Sequence, residues 1–258
     1  MSELHTFYAP PEAFGETIVL QGQELKHLAQ ALRLKPGERC RVLDGQGRSA
    51  EAVIEAVGRR EATLRPDAVE FTPKPASRAV VALALSKATR RGFFLEKAVE
   101  LGAEAVWLWQ GDFSQGKLPR EEKDSWQAKM VAGIKQSGNP WLPQVRAFPE
   151  GIAGVVQAAA SFEHHLLPWE KQEGVPMLSL ADAGLPGTTC YVVGPEGGFS
   201  EAELEALAEA GYSPVSFGRR ILRCETAATL CLGIHWWASQ QEGRPDFPPD
   251  ISADFVCG

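Results

Sequence analysis

The hydrophobic pattern changes its period across Phe71-Thr72-Pro73-Lys74-Pro75. Before this segment apolar residues come in short alternating runs, as in Ser49–Val57, which suits strands with one face in water. After it they gather into blocks. Ala79–Leu85 is apolar throughout, as a strand buried on both faces requires. Two prolines in five residues suit neither pattern, so the segment reads as a linker between units at 1–72 and 73–258. In the first unit, Leu25, Leu28 and Leu32 give Gln23–Leu34 a helical spacing. A turn at Lys35–Glu38, a strand over Arg39–Leu43, a turn at Asp44-Gly45 and a short strand over Glu61–Leu64 complete the pattern of a small β-barrel.

The second unit alternates. A helix is predicted over Phe93–Leu101, stopped by Gly102, followed by a strand over Ala105–Trp109 and a helix over Glu121–Gln136. Strands over Leu166–Pro168, Cys190–Val193 and Ser213–Phe217 then alternate with helices. This is the pattern of an α/β domain with a largely parallel sheet.

Composition removes other classes. With 44% hydrophobic and 23% charged residues the chain is of ordinary globular type. No apolar run approaches the roughly 18 residues of a membrane span, and Met1–His5 lacks the features of a signal peptide. A soluble, cytoplasmic protein without membrane association is therefore expected. The cysteines (Cys40, Cys190, Cys224, Cys231, Cys257) are odd in number and widely spaced, which predicts reduced, mostly buried thiols. His164-His165 is too thin a cluster for a metal site, so no metal is expected. The net charge of −7 hides a gradient: −2 over residues 1–72, +4 over 73–140 and −9 over 141–258. Between positions 26 and 41, Lys26, Arg33, Lys35, Arg39 and Arg41 face only Glu38. Such a local patch suits phosphate even on an acidic protein, although it equally suits a solvated mixed-charge surface.

Two loops are candidates for chemistry. In Tyr191–Ser200 an apolar strand runs through Gly194-Pro195-Glu196-Gly197-Gly198 into a helix. Ser200 and Glu203 form a capping box, with Phe199 and Leu204 as its hydrophobic staple. The cap settles the helix start, so the glycines are free for something else: close approach of a ligand, or equally a bare structural turn. The loop is neither a Walker loop nor a dinucleotide fingerprint. The second loop, Phe217–Ala228, presents Arg219, Arg220, Arg223 and Glu225 before an apolar helix running from Thr226 to about Ser239. That helix is apolar around most of its circumference, which predicts broad burial in the core or against another subunit.

Gly194-Pro195-Glu196-Gly197-Gly198 together with Leu222-Arg223-Cys224-Glu225-Thr226-Ala227 resembles the RsmE family of 16S ribosomal RNA uracil-N3 methyltransferases, of the SPOUT superfamily. His27-Leu28, Leu32-Arg33, Pro36-Gly37 and Asp44-Gly45 resemble that family's N-terminal PUA-like barrel. Lys97-Ala98, Glu100-Leu101-Gly102 and Gln136-Ser137, with Pro143 and Val145, resemble its other motifs. The resemblance spans nearly the whole chain. It implies an α/β, SPOUT-type trefoil-knotted methyltransferase domain with an N-terminal PUA-like β-barrel, acting as a homodimer on 16S rRNA in the small ribosomal subunit.

The implied cofactor, S-adenosyl-L-methionine, would be cradled by three loops. These supply Leu167 and Pro168 from the first. Val193, Gly194, Pro195, Glu196, Gly197 and Gly198 come from the second. Phe217, Gly218, Ile221, Leu222, Arg223, Thr226 and Ala227 come from the third. Arg223 is the expected stabiliser of the uracil anion, with Glu225 orienting the loop or accepting the proton. Lys26, Arg33, Lys35, Lys87, Arg90 and Arg91 are the expected RNA phosphate contacts. The chain departs from the family where Gln110–Gln115 lacks an arginine, and where Lys135 and Asn139 replace a glutamate and an arginine. Those changes imply either a compensated charge exchange or an altered RNA site. The rival readings are a SPOUT-fold methyltransferase for another RNA base and a non-catalytic RNA-binding assembly factor.

Overall fold

The structure, a computed structural model, describes residues 4–119, 124–169 and 174–240. In the N-terminal region five strands are β1 (Thr6–Tyr8), β2 (Ile18–Gln21), β3 (Arg39–Leu43), β4 (Arg48–Val57) and β5 (Glu61–Phe71), in sheet order β1-β3-β4-β5-β2. Phe7, Ile18, Leu20, Leu28, Val42, Ile54 and Leu64 fill its core. The strand expected over Glu61–Leu64 continues to Phe71. Its Pro66 is tolerated because β2 pairs only with residues 61–64, and the β4–β5 register shifts opposite Pro66, between Glu51 and Ala52. The helix expected over Gln23–Leu34 is shorter: α1 covers Gly22–Lys26, and a wider π turn follows over His27–Ala31. Arg33, at φ 55°, then leaves the helical region.

The C-terminal region is a six-stranded sheet in the order β11-β9-β10-β6-β7-β8, with every pairing parallel. Its strands are β6 (Ser77–Ala84), β7 (Ala105–Trp109), β8 (Gln144–Phe148), β9 (His164–Pro168), β10 (Gly187–Val193) and β11 (Ser213–Val215). Its helices are α2 (Ala88–Glu100), α3 (Asp124–Ser137), α4 (Ile152–Ala159), α5 (Leu180–Ala183), α6 (Glu201–Glu209) and α7 (Cys224–Ser239). The continuous apolar run of β6 divides between two cores: Ala79, Val81 and Leu83 face one, Val80, Ala82 and Ala84 the other. Tyr191 and Val193 of β10 alternate with Cys190 and Val192 in the same way. Period-two side chains on a strand covered on both sides produce the unbroken block seen in the sequence.

Helix α2 begins five residues before the expected start, at Ala88, because Ala88–Arg91 is helix-compatible but polar and so invisible to an apolar period. The start expected for α3, at Glu121, lies outside the described residues. Within one chain the burial of α7 is one-sided: Cys231, Leu232 and His235 are buried, while Leu230, Trp236 and Trp237 are exposed, which leaves the expected burial against another subunit for that face. Cys40, Cys190, Cys224 and Cys231 are free, buried thiols, and Cys257 lies outside the described residues.

The two regions meet along the segment that leaves α3. Gly47 N–H donates to Pro140 O and Leu142 N–H to Gly45 O, each at 2.9 Å, and Trp141 Nε1 donates to Thr72 O. A Cβ on Gly47 would stand 2.5 Å from the Trp141 ring, so only glycine admits that approach. Lys135 Nζ reaches Glu24 Oε1 at 2.7 Å across the same seam.

Candidate functional site

In open α/β sheets ligands bind beyond the carboxyl ends of the strands, where the order of crossovers reverses. Here the chain builds β6, β7 and β8 to one side, and β10 then lies between β9 and β6. Beyond the ends of β9 and β10 lies a cavity of about 410 Å³, within the roughly 300–1,000 Å³ usual for small-molecule sites.

All three expected loops reach it. Pro168 lines it from the end of β9; Val193, Gly194, Pro195, Glu196 and Gly198 from the end of β10; Ile221, Leu222, Arg223 and Ala227 from the entrance to α7. Five expected residues stand outside the lining. Leu167 is buried in the core beneath, and Phe217 packs against the opposite core. Gly197 and Gly218 shape their loops, and Thr226 is exposed on α7. The sequence reading missed Arg90, Trp169, Phe199 and Cys224 as cavity residues. Trp169 and Cys224 adjoin expected positions, so their signal was proximity alone. Arg90 comes from α2, and nothing local in sequence marks it.

The glycines of the β10 loop serve packing as well as the cavity, which Gly194 and Gly198 line. A Cβ on Gly194 would lie 2.6 Å from the Phe199 ring, and one on Gly197 2.6 Å from Phe113 Cβ. Gly198 takes φ 85° and closes a turn onto Pro195 O at 2.9 Å. The protein's own aromatics thus occupy the space the glycines leave. Phe199 in turn stacks on Trp109, centroids 6.0 Å apart, and Trp109 Nε1 donates to Val193 O and Ala82 O. The capping box is present: Glu203 N–H donates to Ser200 Oγ, and Ser200 N–H to Glu203 Oε2 at 2.8 Å. It extends to the segment where the resemblance lacks an arginine. Asp112 N–H donates to Glu203 Oε1 at 2.8 Å, and Ser200 Oγ donates to Asp112 Oδ2 at 2.6 Å.

Arg223 is the exposed N-cap residue of α7, on the rim of the cavity. Glu225 is buried one residue inside the helix; its Oε1 is 3.5 Å from Arg90 Nε and its Oε2 accepts from Cys224 Sγ. Burial, with Glu225 beside it, pushes the Cys224 thiol up to about 11, which leaves no thiolate at neutral pH for nucleophilic work.

Of the expected phosphate contacts, Lys26, Arg33, Lys35 and Lys87 are exposed. Arg39, counted in the same basic stretch, is instead paired with Glu51 and Asp67. Arg91 is half-buried, donating to Ser86 O and lying over the Trp126 ring, and burial lowers its pKa. Arg90 stands in the cavity wall, against Glu196 as well as Glu225. The two departures have internal partners: Lys135 pairs with Glu24, while Asn139 donates to Val99 O at 2.8 Å and accepts from Trp141 N–H.

Behind the cavity, α7 is fastened to the sheet by a polar chain. Ser77 Oγ donates to Ala183 O and meets His235 Nε2 at 3.1 Å, while Tyr191 OH meets His235 Nδ1 at 3.3 Å. Burial pushes the pKa of His235 down to about 4. Among the described residues no cluster of His, Cys, Asp or Glu is suited to a metal, and no helix is long and apolar enough to cross a membrane.

A parallel sheet bearing a three-loop cavity at its carboxyl edge, with a small curled sheet docked beside it, matches a known class. Residues 72–236 match the RNA methyltransferase domain and residues 20–67 the RNA methyltransferase PUA domain. A ribosomal RNA small subunit methyltransferase E of Mycobacterium bovis is 32% identical over 234 residues, covering 85% of this chain and 86% of that one. The chain belongs to the ribosomal RNA small subunit methyltransferase E family. Two solved structures are similar. A Legionella pneumophila methyltransferase in complex with S-adenosylmethionine has TM-score 0.80 and 26% identity, covering 92% of this chain and 98% of that chain. A ribosomal RNA small subunit methyltransferase E from Neisseria gonorrhoeae bound to S-adenosyl methionine has TM-score 0.73 and 26% identity, covering 90% of this chain and 96% of that one.

Proposed function

We propose that this protein methylates N3 of a uridine in 16S ribosomal RNA of the small subunit, using S-adenosyl-L-methionine held in the cavity between the ends of β9 and β10 and the entrance to α7. The observation that carries this reading is the convergence of Pro168, Val193–Glu196 with Gly198, and Ile221–Cys224 with Ala227 on one cavity of about 410 Å³. The cavity's fit to the cofactor rests on size and on chemistry: backbone of the β9 and β10 loops and small or apolar side chains such as Pro195, Leu222 and Ala227 offer hydrogen bonds and shape to an adenosine. When bound, the cofactor supplies a methyl group on a sulfonium, open to in-line attack by N3.

The chain's own residues prepare that attack. N3 is a nucleophile only once its proton has left, and the resulting uracil anion needs a cation. In this reading Arg223, which lines the cavity, supplies it. Lys26, Arg33, Lys35 and Lys87, all exposed, are the phosphate contacts of this reading; they hold RNA without reading its sequence. Units at 1–72 and 73–258 then divide the work: the first holds RNA, and the second carries the chemistry and adds Lys87 to the RNA contacts. The exposed Leu230, Trp236 and Trp237 of α7 suit a subunit interface, which supports a homodimer as the working form; the knotted C-terminal unit and the cytoplasm belong to the same family reading. The internal roles of Lys135 and Asn139 favour compensated variation over an altered RNA site.

The test is methyl transfer from labelled S-adenosylmethionine to small subunits lacking the modification, with the product nucleoside identified by mass spectrometry. N3-methyluridine in 16S rRNA is the expected product. Transfer to another base would support the rival specificity. Cofactor binding without any transfer would support the assembly-factor reading.

A further inference from the structure

Arg90 belongs to α2, outside the three loops, yet its guanidinium forms part of the cavity wall with its side chain only 20% exposed. Two carboxylates from different loops face it. Glu196, from the loop after β10, lies against Nη1 as an ion pair without hydrogen-bond alignment, and Glu225, at the start of α7, has Oε1 3.5 Å from Nε. We propose that Arg90 is a positioning residue of the cofactor cavity: it ties the Gly194–Gly198 loop to the entrance of α7, and it is not a phosphate contact. This rests on reading the cavity as the cofactor site.

Two carboxylates at one rim repel, and a cation between them turns that repulsion into a tie between the loops that carry them. A guanidinium suits this role because its planar fork addresses two acceptors in different directions, where an ammonium acts as a point charge. Both carboxylates compete with any approaching phosphate for the same guanidinium. Glu225 is then engaged on both oxygens, by Arg90 and by the Cys224 thiol. That engagement makes it an orienting group for the helix entrance.

The test measures two affinities on the full-length protein and its variants. Calorimetry with S-adenosylhomocysteine reads the cavity, and filter binding of 16S rRNA over a salt series reads phosphate contacts. Arg90→Ala is expected to weaken S-adenosylhomocysteine about tenfold or more, with Arg90→Lys recovering part of the loss. The Arg90→Ala/Glu196→Gln double variant should be no weaker than the worse single variant, because both remove one shared tie. RNA affinity and its salt slope should stay unchanged. The proposal is overturned if Arg90→Ala leaves S-adenosylhomocysteine affinity within about twofold while the RNA salt slope falls by about one, the signature of a lost phosphate contact. Should Arg90→Ala not fold, Arg90→Lys and Glu196→Gln carry the test, and unchanged cofactor affinity in both overturns it equally. Ala227→Phe, which fills the cavity away from the ion pairs, separates the two levels of inference. Unchanged affinity in that variant means the cavity itself is not the cofactor site.

Discussion

The two loops that flank the cavity are built in opposite ways. The loop after β10 is locked on every side: Phe199 fills the space at Gly194, Phe113 the space at Gly197, and the Ser200–Glu203–Asp112 hydrogen bonds fasten it to the segment after β7. The loop between β11 and α7 has little of this. Gly218 N–H donates to Ser216 Oγ, but Ile221 is 85% exposed, and Arg219, Arg220 and Arg223 point to solvent. One wall is finished by the chain's own contacts, and the other leaves most of its side chains exposed. That division suits an enzyme which must hold a small cofactor in fixed geometry yet admit a large RNA beside it.

The comparison breaks most visibly at Arg223. If Arg223, exposed on the open loop, serves the chemistry while the rest of both walls holds the cofactor, Arg223→Ala should reduce methyl transfer by about 10²–10³-fold, the usual loss of one charge-stabilising donor. S-adenosylhomocysteine affinity should change little. A variant that loses cofactor affinity instead would make Arg223 a cofactor contact and overturn its catalytic role.

The anchor common to both walls is α7, and its polar chain carries a pH signature. His235, buried, has a folded pKa near 4 against about 6.5 when unfolded. The unfolded state therefore binds more protons between those values. Stability from this site is fully present above about 6.5 and lost as pH falls toward 4, to a limit of about 3 kcal/mol. Urea midpoints of the protein and of His235→Phe, compared at about pH 7 and about pH 4.5, should converge at the lower pH. Parallel pH dependence in both would show that His235 is not held neutral.

How much of this was legible follows the same division. The parallel sheet was readable because β6, β7 and β10 announce double burial as unbroken apolar runs, and the capping box because Ser200 and Glu203 are three residues apart. The short edge strands β1 and β2 escaped, being too brief for a period, and β8 hid behind prolines at 140 and 143. What no local pattern contained is the long-range placement. Arg90 reads as one of several basic residues until the fold brings Glu196 and Glu225 to it. The same holds for the glycines, whose purpose depends on Phe113, more than eighty residues away in sequence from Gly197. The cofactor loops themselves were recognised by resemblance; spacing alone left them open.

Two glycine substitutions sharpen the contrast between the walls. Gly194→Ala puts a methyl group 2.6 Å from the Phe199 ring, and overpacking of this kind costs about 1–3 kcal/mol. Because the displaced ring supports the wall, cofactor affinity should fall with stability. Gly218→Ala meets nothing within 4 Å, but its φ of +93° is strained for alanine, at about 1 kcal/mol. In the open loop that strain should reach urea stability and leave S-adenosylhomocysteine affinity nearly unchanged. Equal loss of affinity in both variants would mean the two walls are equally built.

The smallest effect tests what locks the finished wall. Ser200→Ala removes the acceptor of Glu203 N–H and the donor to Asp112, while the Asp112 N–H to Glu203 bond survives. Loss of an N-cap serine costs about 1 kcal/mol. If the cap merely starts α6, the loss should appear in urea stability alone. If it also fastens the segment after β7 to the cavity wall, hydrogen exchange at residues 111–114 should quicken together with exchange at 196–198, since Phe113 rests on Gly197. Faster exchange confined to the first turn of α6 would reduce the lock to an ordinary helix cap.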